Sequence, residues 1–205
     1  MIEILHFIDS QAFLVLNGSL LDDPLLQTFW GLLNHKRESF FNILMALIIN
    51  GITLLCTRDP KLRKIRFFKL LYFWFCFEIG FLAQDWFFHT YLHTQRFSPS
   101  LVLTPVYRLS KILNNPLIKD FSINSFPSGH AFAMIYWSSF TYVCSPKKVG
   151  IPALCLGLFF CIPRLVSGAH WLSDVVFSAL LALAWLALTL KTPIYRLLNL
   201  LKKQA

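Results

Sequence analysis

Five long apolar stretches, at about 41–57, 67–88, 130–144, 150–163 and 175–190, constrain this chain more than anything else in it. In a hydrocarbon environment no water satisfies a free backbone N–H or C=O, so each stretch has to be a helix. Only 14% of the 205 residues are charged, against about 25% in an ordinary soluble domain. The expected fold class is therefore all-α: an integral membrane helical bundle of about five transmembrane helices. Residues 9–33 are apolar too, but Asn17-Gly18 and Asp22-Asp23-Pro24 interrupt them. They are expected as two short amphipathic helices lying at the interface. The length allows one domain, divided into an interfacial segment 1–40, a transmembrane core 41–190 and a cytoplasmic tail 191–205.

The net charge of +9 raises the question of nucleic acid. Its distribution answers it. Arg58, Lys61, Arg63, Lys64 and Arg66 precede the second stretch and Lys69 lies at its start, Lys147 and Lys148 lie between the third and fourth, and Lys191, Arg196, Lys202 and Lys203 follow the fifth. Five alternating helices put these 12 of the 19 basic residues on one side, which the positive-inside rule makes the cytoplasm. The charge then reports topology, and no nucleic-acid partner is expected. Residues 1–40 carry five acids and two bases, which suits the opposite side. There is no basic n-region with a long apolar stretch behind it, so no cleavable signal peptide is expected. Cys56, Cys76, Cys144, Cys155 and Cys161 fall in apolar sequence without metal spacing and read as packed free thiols.

Two polar islands break the apolar pattern on the outer side. The first is Pro127-Ser128-Gly129-His130, a tight turn that opens a helix. Free N–H groups at a helix start, together with the helix dipole, favour an anion. The second runs from Pro163 to Val176 and holds Arg164, His170 and Asp174. Four residues separate His170 from Asp174, so on a helix both lie on one face and the carboxylate can orient the imidazole. An imidazole held in this way is a base or a nucleophile. The guanidinium of Arg164 matches a phosphate bidentately. The stretches 130–144 and 150–163 are shorter than the roughly 20 residues of a full span. Their outer ends, with both islands, are then recessed to headgroup depth. A phosphate on a lipid is the simplest target, and phosphoryl transfer the simplest reaction.

Ser128-Gly129-His130 after Pro127, followed by Arg164, His170 and Asp174 at this spacing, resembles the type-2 phosphatidic acid phosphatase (PAP2) superfamily. The resemblance implies that His170 attacks phosphorus to form a phosphohistidine, that Asp174 orients it, and that His130 protonates the leaving oxygen. It implies that Arg164, Ser128 and Gly129 hold the phosphoryl oxygens, and that no metal or other cofactor takes part. The family's first motif, a lysine six residues before Arg-Pro, is degenerate here. Arg96 in "HTQRFSP" stands nearest to it, and Lys111 and Lys119 are candidates for the missing charge. The segments "QRFSP", "YRLSKILNNPLIKDFSINSFPSGH" and "IPRLVSGAHWLSD" are similar to undecaprenyl-pyrophosphate:lipid A 1-phosphate phosphotransferases. That implies a lipid pyrophosphate donor, a lipid A acceptor, membrane lipids as surroundings, and a site facing the periplasm from the bacterial inner membrane. Water as acceptor (an undecaprenyl pyrophosphate phosphatase), or phosphatidic acid or phosphatidylglycerol phosphate as substrate, are the alternatives within the chemistry.

Glu78 and Asp85 lie outside this scheme, seven residues apart on one face of the second stretch. Acids inside a membrane are costly. Glu78 is expected to pair with Lys69, or across helices with Asn42 or Asn50, and Asp85 to orient a basic site residue. A zinc site from Asp85, His89 and His93 lacks close metal spacing. The reading of another class, a small transporter or binding subunit, rests on these two acids. It predicts that they matter and that His170 does not.

Overall fold

The computed structural model describes residues 2–203, and the side chains of all of these except 2, 38–40 and 202–203. Among them there is no strand, only an isolated antiparallel bridge between His35 and Ile118. The helices are α1 (Ile2–Gly18), α2 (Pro24–Leu33), α3 (Glu38–Leu55), α4 (Pro60–Asp85), α5 (Pro99–Val102), α6 (Leu109–Ile112), α7 (Gly129–Cys144), α8 (Lys147–Phe159), α9 (Ile162–Val166), α10 (Leu172–Lys191) and α11 (Pro193–Lys203). A π-helical turn, Trp86–Tyr91, continues α4.

Helix boundaries follow the capping chemistry. Asp23 accepts the N–H groups of Leu25 and Leu26 at 3.1 and 3.0 Å, with Pro24 in the first helical position. Asp59 does the same for Lys61 at 2.8 Å, again with a proline next. An N-cap with proline behind it is the ordinary start of a helix. That cap begins α4 at Pro60, well ahead of the apolar stretch at 67. The first helix also departs from expectation. It begins at Ile2 rather than at residue 9, and Asp9, Phe13 and Asn17, on one face, are all buried. Residues 193–203 form α11, whose Tyr195 is buried.

Helix α7 is the centre of the bundle, packed on α8, α10, α4 and α3. Its Tyr136 and Phe140 meet Phe73 of α4, whose ring centroid lies 5.0 Å from Tyr136 and 4.1 Å from Phe140, and its Phe132 meets Phe77 and Phe81 of the same helix. The closeness of α7 and α8 depends on Gly157. A β-carbon there would sit 2.2 Å from the hydroxyl of Ser138 and 2.9 Å from the carbonyl of Met134. At one end of the bundle Lys69 bonds Asn199 and lies over the ring of Tyr195, 5.1 Å from its centroid. The basic residues of α4, α8 and α10 gather at this end, and the two polar islands lie at the other.

Of the five apolar stretches, two pass a test of length and composition for crossing a membrane: Lys147–Val166, which joins α8 and α9, and Leu172–Lys191, which is α10. Phe41–Leu55 is apolar but shorter. Large apolar side chains are exposed along the helices, among them Leu47, Phe75, Leu82, Leu180 and Leu188. A contiguous apolar surface of this kind marks contact with lipid or protein.

Candidate active site

The polar island at 127–130 folds as a capped helix start. The hydroxyl of Ser128 accepts the N–H of Ala131 at 3.3 Å. Its own N–H is donated to the hydroxyl of Ser178 at 2.7 Å, and Ser178 donates to the carbonyl of Asp174 at 2.7 Å. Ser128 is fully buried in this role. Its hydroxyl oxygen is engaged in the helix cap and does not line the cavity. Gly129 and His130, the first residues of α7, do line it.

The second island depends on one backbone turn. Gly168 has φ +75, and a β-carbon there would lie 2.6 Å from Phe13 and 2.9 Å from Ser100. The left-handed turn folds the chain back after α9, so that the N–H groups of Ala169 and His170 both reach the carbonyl of Arg164. Arg164 and His170 thereby enter the same cavity, which has a volume of about 780 Å³ and also receives Gly129 and His130. That lies within the usual range for a ligand site.

The two imidazoles are each held by a backbone carbonyl. His170 Nδ1 bonds the carbonyl of Ser125 at 2.6 Å, and His130 Nε2 bonds that of Phe160 at 2.9 Å. A carbonyl only accepts, so the proton of His170 is on Nδ1 and its Nε2 carries the lone pair. Burial, then the charges of Lys119 and Arg164, push His170 down to about 3, against the opposing pull of the Ser125 carbonyl. A neutral imidazole with a fixed tautomer is what a nucleophile needs.

The carboxylate of Asp174 is not the acceptor for that ring. It lies 4.0 Å from His170 Nδ1, beyond hydrogen-bond reach. It accepts instead from the N–H of Trp171 at 2.9 Å, capping α10, and from Arg96 at 2.5 Å. Arg96 is likewise diverted. Its guanidinium bridges Asp174 and Asp9, 2.7 Å from the latter, bonds the Ser173 hydroxyl at 2.8 Å, and stacks over Trp171. It stands behind the site, outside the cavity wall. Lys119 is on the wall; Lys111, exposed on α6, is not.

Both acids of α4 reach the cavity wall. Lys69 is engaged by Asn199, and Asn50 by the carbonyl of Ala46 and the hydroxyl of Thr141. Glu78 instead faces the cavity, next to Asn42. Asp85 bonds His89 Nδ1 at 2.8 Å, and His89 Nε2 bonds the carbonyl of Phe126 at 3.1 Å. His89 thus has both nitrogens engaged, and among the described residues no three His, Cys, Asp or Glu are grouped to hold a metal ion.

Several residues that build the site have no motif to announce them. Asn34 is fully buried, donates to the carbonyls of Trp30 and Pro163, and accepts from Arg164 at 3.3 Å and Ser167 at 3.2 Å. Asn17 donates to the carbonyls of Tyr107 and Val166 and accepts the N–H of Tyr107 at 2.8 Å. Asp9 accepts the N–H of Ser173 at 2.8 Å and its hydroxyl at 2.5 Å, besides Arg96. A lone amide or carboxylate in apolar sequence was the available signal, because such a group is buried only with partners.

Comparison with known proteins places this geometry. A family model described as the PAP2 superfamily matches residues 84–197, more than half of the chain, including both islands. Lipid A 1-diphosphate synthase of Escherichia coli K12 is 27% identical over 186 residues, which cover 89% of this chain and 76% of that protein. The crystal structure of LpxE from Aquifex aeolicus superposes with a TM-score of 0.57 at 18% identity, covering 89% of this chain and 94% of that one. The last likeness is one of fold.

Proposed function

Because the chain belongs to the PAP2 superfamily, we propose that it is a membrane lipid phosphotransferase that takes the terminal phosphate of undecaprenyl pyrophosphate and passes it to lipid A 1-phosphate. The observation that carries the chemistry is the pairing in one cavity of a neutral His170, its tautomer set by Ser125, with His130 and Arg164. His170 Nε2 attacks the terminal phosphorus. An N–P bond forms, the P–O bond to the inner phosphate breaks, and undecaprenyl phosphate leaves with a proton from His130. The Nε2–H of His130 is held by the carbonyl of Phe160, so the proton it gives is a second one, carried on Nδ1 by the imidazolium that forms when the anionic headgroup binds beside it. In the second half, His130 takes the proton of the acceptor, whose oxygen attacks phosphorus while the N–P bond breaks. Arg164, aimed by Asn34, and the N–H groups that open α7 hold the negative oxygens throughout. Such donors act where charge develops in the transition state.

Asp174 and Arg96 support the reaction from behind. Asp174 caps the helix that follows His170 and ties it to Arg96, so it fixes the backbone from which the nucleophile projects. The fold is read as a five-span bundle of the bacterial inner membrane. The exposed apolar side chains and the gathering of basic residues at the end away from the site favour that placement, with the site toward the periplasm. The acceptor follows the name of the E. coli relative, and the donor follows the resemblance of the loop between Arg96 and Pro127 to undecaprenyl-pyrophosphate-dependent phosphotransferases.

The test is to incubate purified protein with undecaprenyl pyrophosphate, with and without lipid A, and to measure free phosphate and phosphorylated lipid A. Transfer that requires lipid A is expected. Phosphate release without acceptor would overturn the transfer and leave a hydrolase. No reaction with either lipid would overturn the donor.

A further inference from the structure

The cavity is larger than one phosphoryl group needs, and its two walls carry opposite charge. On one side α4 and the π-helical turn present Glu78, Asp85 and His89. On the other, two loop segments meet in the only antiparallel bridge among the described residues. Residues 34–36 lie against 117–119, with the N–H of Lys36 on the carbonyl of Leu117 at 2.7 Å and the N–H of Lys119 on the carbonyl of Asn34 at 2.8 Å. Side chains alternate along such a pair. Ile118 is buried with Leu20, Leu109 and Val166, and Lys36 and Lys119 are both exposed on the cavity wall. The bridge is not free to drift. Asn34, in its first position, is bonded to Pro163 and Arg164. A single backbone unit therefore aims Arg164 in the interior and carries two lysines outward from it.

We infer that Lys36 and Lys119 form a second anion subsite in this cavity, taking a phosphate group other than the one His170 attacks. The subsite rests on the reading of the cavity as a place of phosphoryl transfer. It narrows the substrate class to reactants that bring two phosphates, either joined in one diphosphate headgroup or divided between donor and acceptor. Electrostatics selects the wall. A phosphate beside Glu78 and Asp85 faces two carboxylates, whereas beside the bridge it faces two ammonium groups, and lysine binds phosphate as a point charge. The charge of Lys119 already reaches His170 and is the largest charge acting there, so a group bound between the lysines lies next to the attacked one.

Binding of inorganic pyrophosphate and of orthophosphate to the purified protein, read by titration calorimetry at low salt, tests this without turnover. The wild type is expected to prefer pyrophosphate by roughly tenfold, the worth of one charge-assisted hydrogen bond. Lys36→Met and Lys119→Met should each shrink that preference, the double variant should abolish it, and Lys36→Arg should keep it. The KM of each variant for a lipid diphosphate and for a phosphorylated acceptor then tells which reactant brings the second phosphate. Equal affinities in the wild type, or a preference that survives in the double variant, would overturn the subsite. A lysine-dependent preference in a protein that turns over no lipid would leave the subsite standing and remove the proposed reaction alone. Turnover without the preference would do the reverse.

Discussion

Removing the carboxylate of Asp9 should destabilise the protein far more than its place in an N-terminal helix suggests. The group is 1% exposed and accepts three hydrogen bonds, two from Ser173 at the start of α10 and one from Arg96. Breaking a buried ion pair by removing one partner costs 3–5 kcal/mol. Arg96 is 31% exposed and keeps Asp174, so water and the second carboxylate soften the loss, and Asp9→Ala should cost about 3 kcal/mol. For a chain of this length that lowers the melting temperature by about 6–12 °C. Arg96→Met strands two buried carboxylates side by side and should cost about 5 kcal/mol. In its background Asp9→Ala removes a repulsion rather than an attraction, so the two losses should fail to add by about 2 kcal/mol or more. Thermal unfolding of the two single variants and the double variant in detergent, followed by circular dichroism, reads all three values. Asp9→Ala melting within 2 °C of wild type, or a double variant whose loss equals the two single losses combined, would refute the bridge as the clamp on α10.

Other outcomes follow from the same geometry. His130→Ala should lower kcat by roughly 10²–10⁴, the usual worth of general acid–base help, read as initial rates on a lipid pyrophosphate. Arg164→Lys should cost roughly 10²–10³ in kcat, as loss of a transition-state donor does, because an ammonium cannot reproduce the planar fork. Because His170 titrates in the folded state at about 3 and in the unfolded chain near 6.5, the unfolded chain binds the proton first as pH falls. The share of stability that His170 carries is then complete above about 6.5 and declines toward 3, by about 2 kcal/mol at pH 5. His170→Asn should flatten that part of the melting-temperature profile. Gly157→Ala should cost about 1–3 kcal/mol by overpacking the contact of α7 with α8, seen as a lower melting temperature.

The helical class was legible because apolar runs are local signals. The starts of α2 and α4 were not read from the sequence, although Asp23-Pro24 and Asp59-Pro60 mark them by their own chemistry. The residues His130, Arg164 and His170 were legible for a related reason, since polar groups in apolar sequence need a purpose. Their partners were not. Spacing puts Asp174 one turn from His170, but a helix start competes for the same carboxylate, and the N–H of Trp171 with Arg96 takes it. The capping bond of Ser128 was likewise not read from the sequence, although a serine before a helix commonly caps it. The burial of Asp9, Asn17 and Asn34 depends on contacts with residues 96, 107, 163, 164 and 166. No local pattern in the first 40 residues encodes those distant partners.

Trapping the covalent intermediate tests the central claim most directly. Purified protein is mixed briefly with undecaprenyl pyrophosphate labelled in its terminal phosphate, quenched in alkali, digested and mapped. The account predicts an acid-labile, alkali-stable phosphoryl group on the peptide that contains His170, absent from the His170→Ala variant, which turns over no substrate. Turnover by the wild type with no label on any histidine, or a His170→Ala variant that still releases or transfers phosphate, would contradict it.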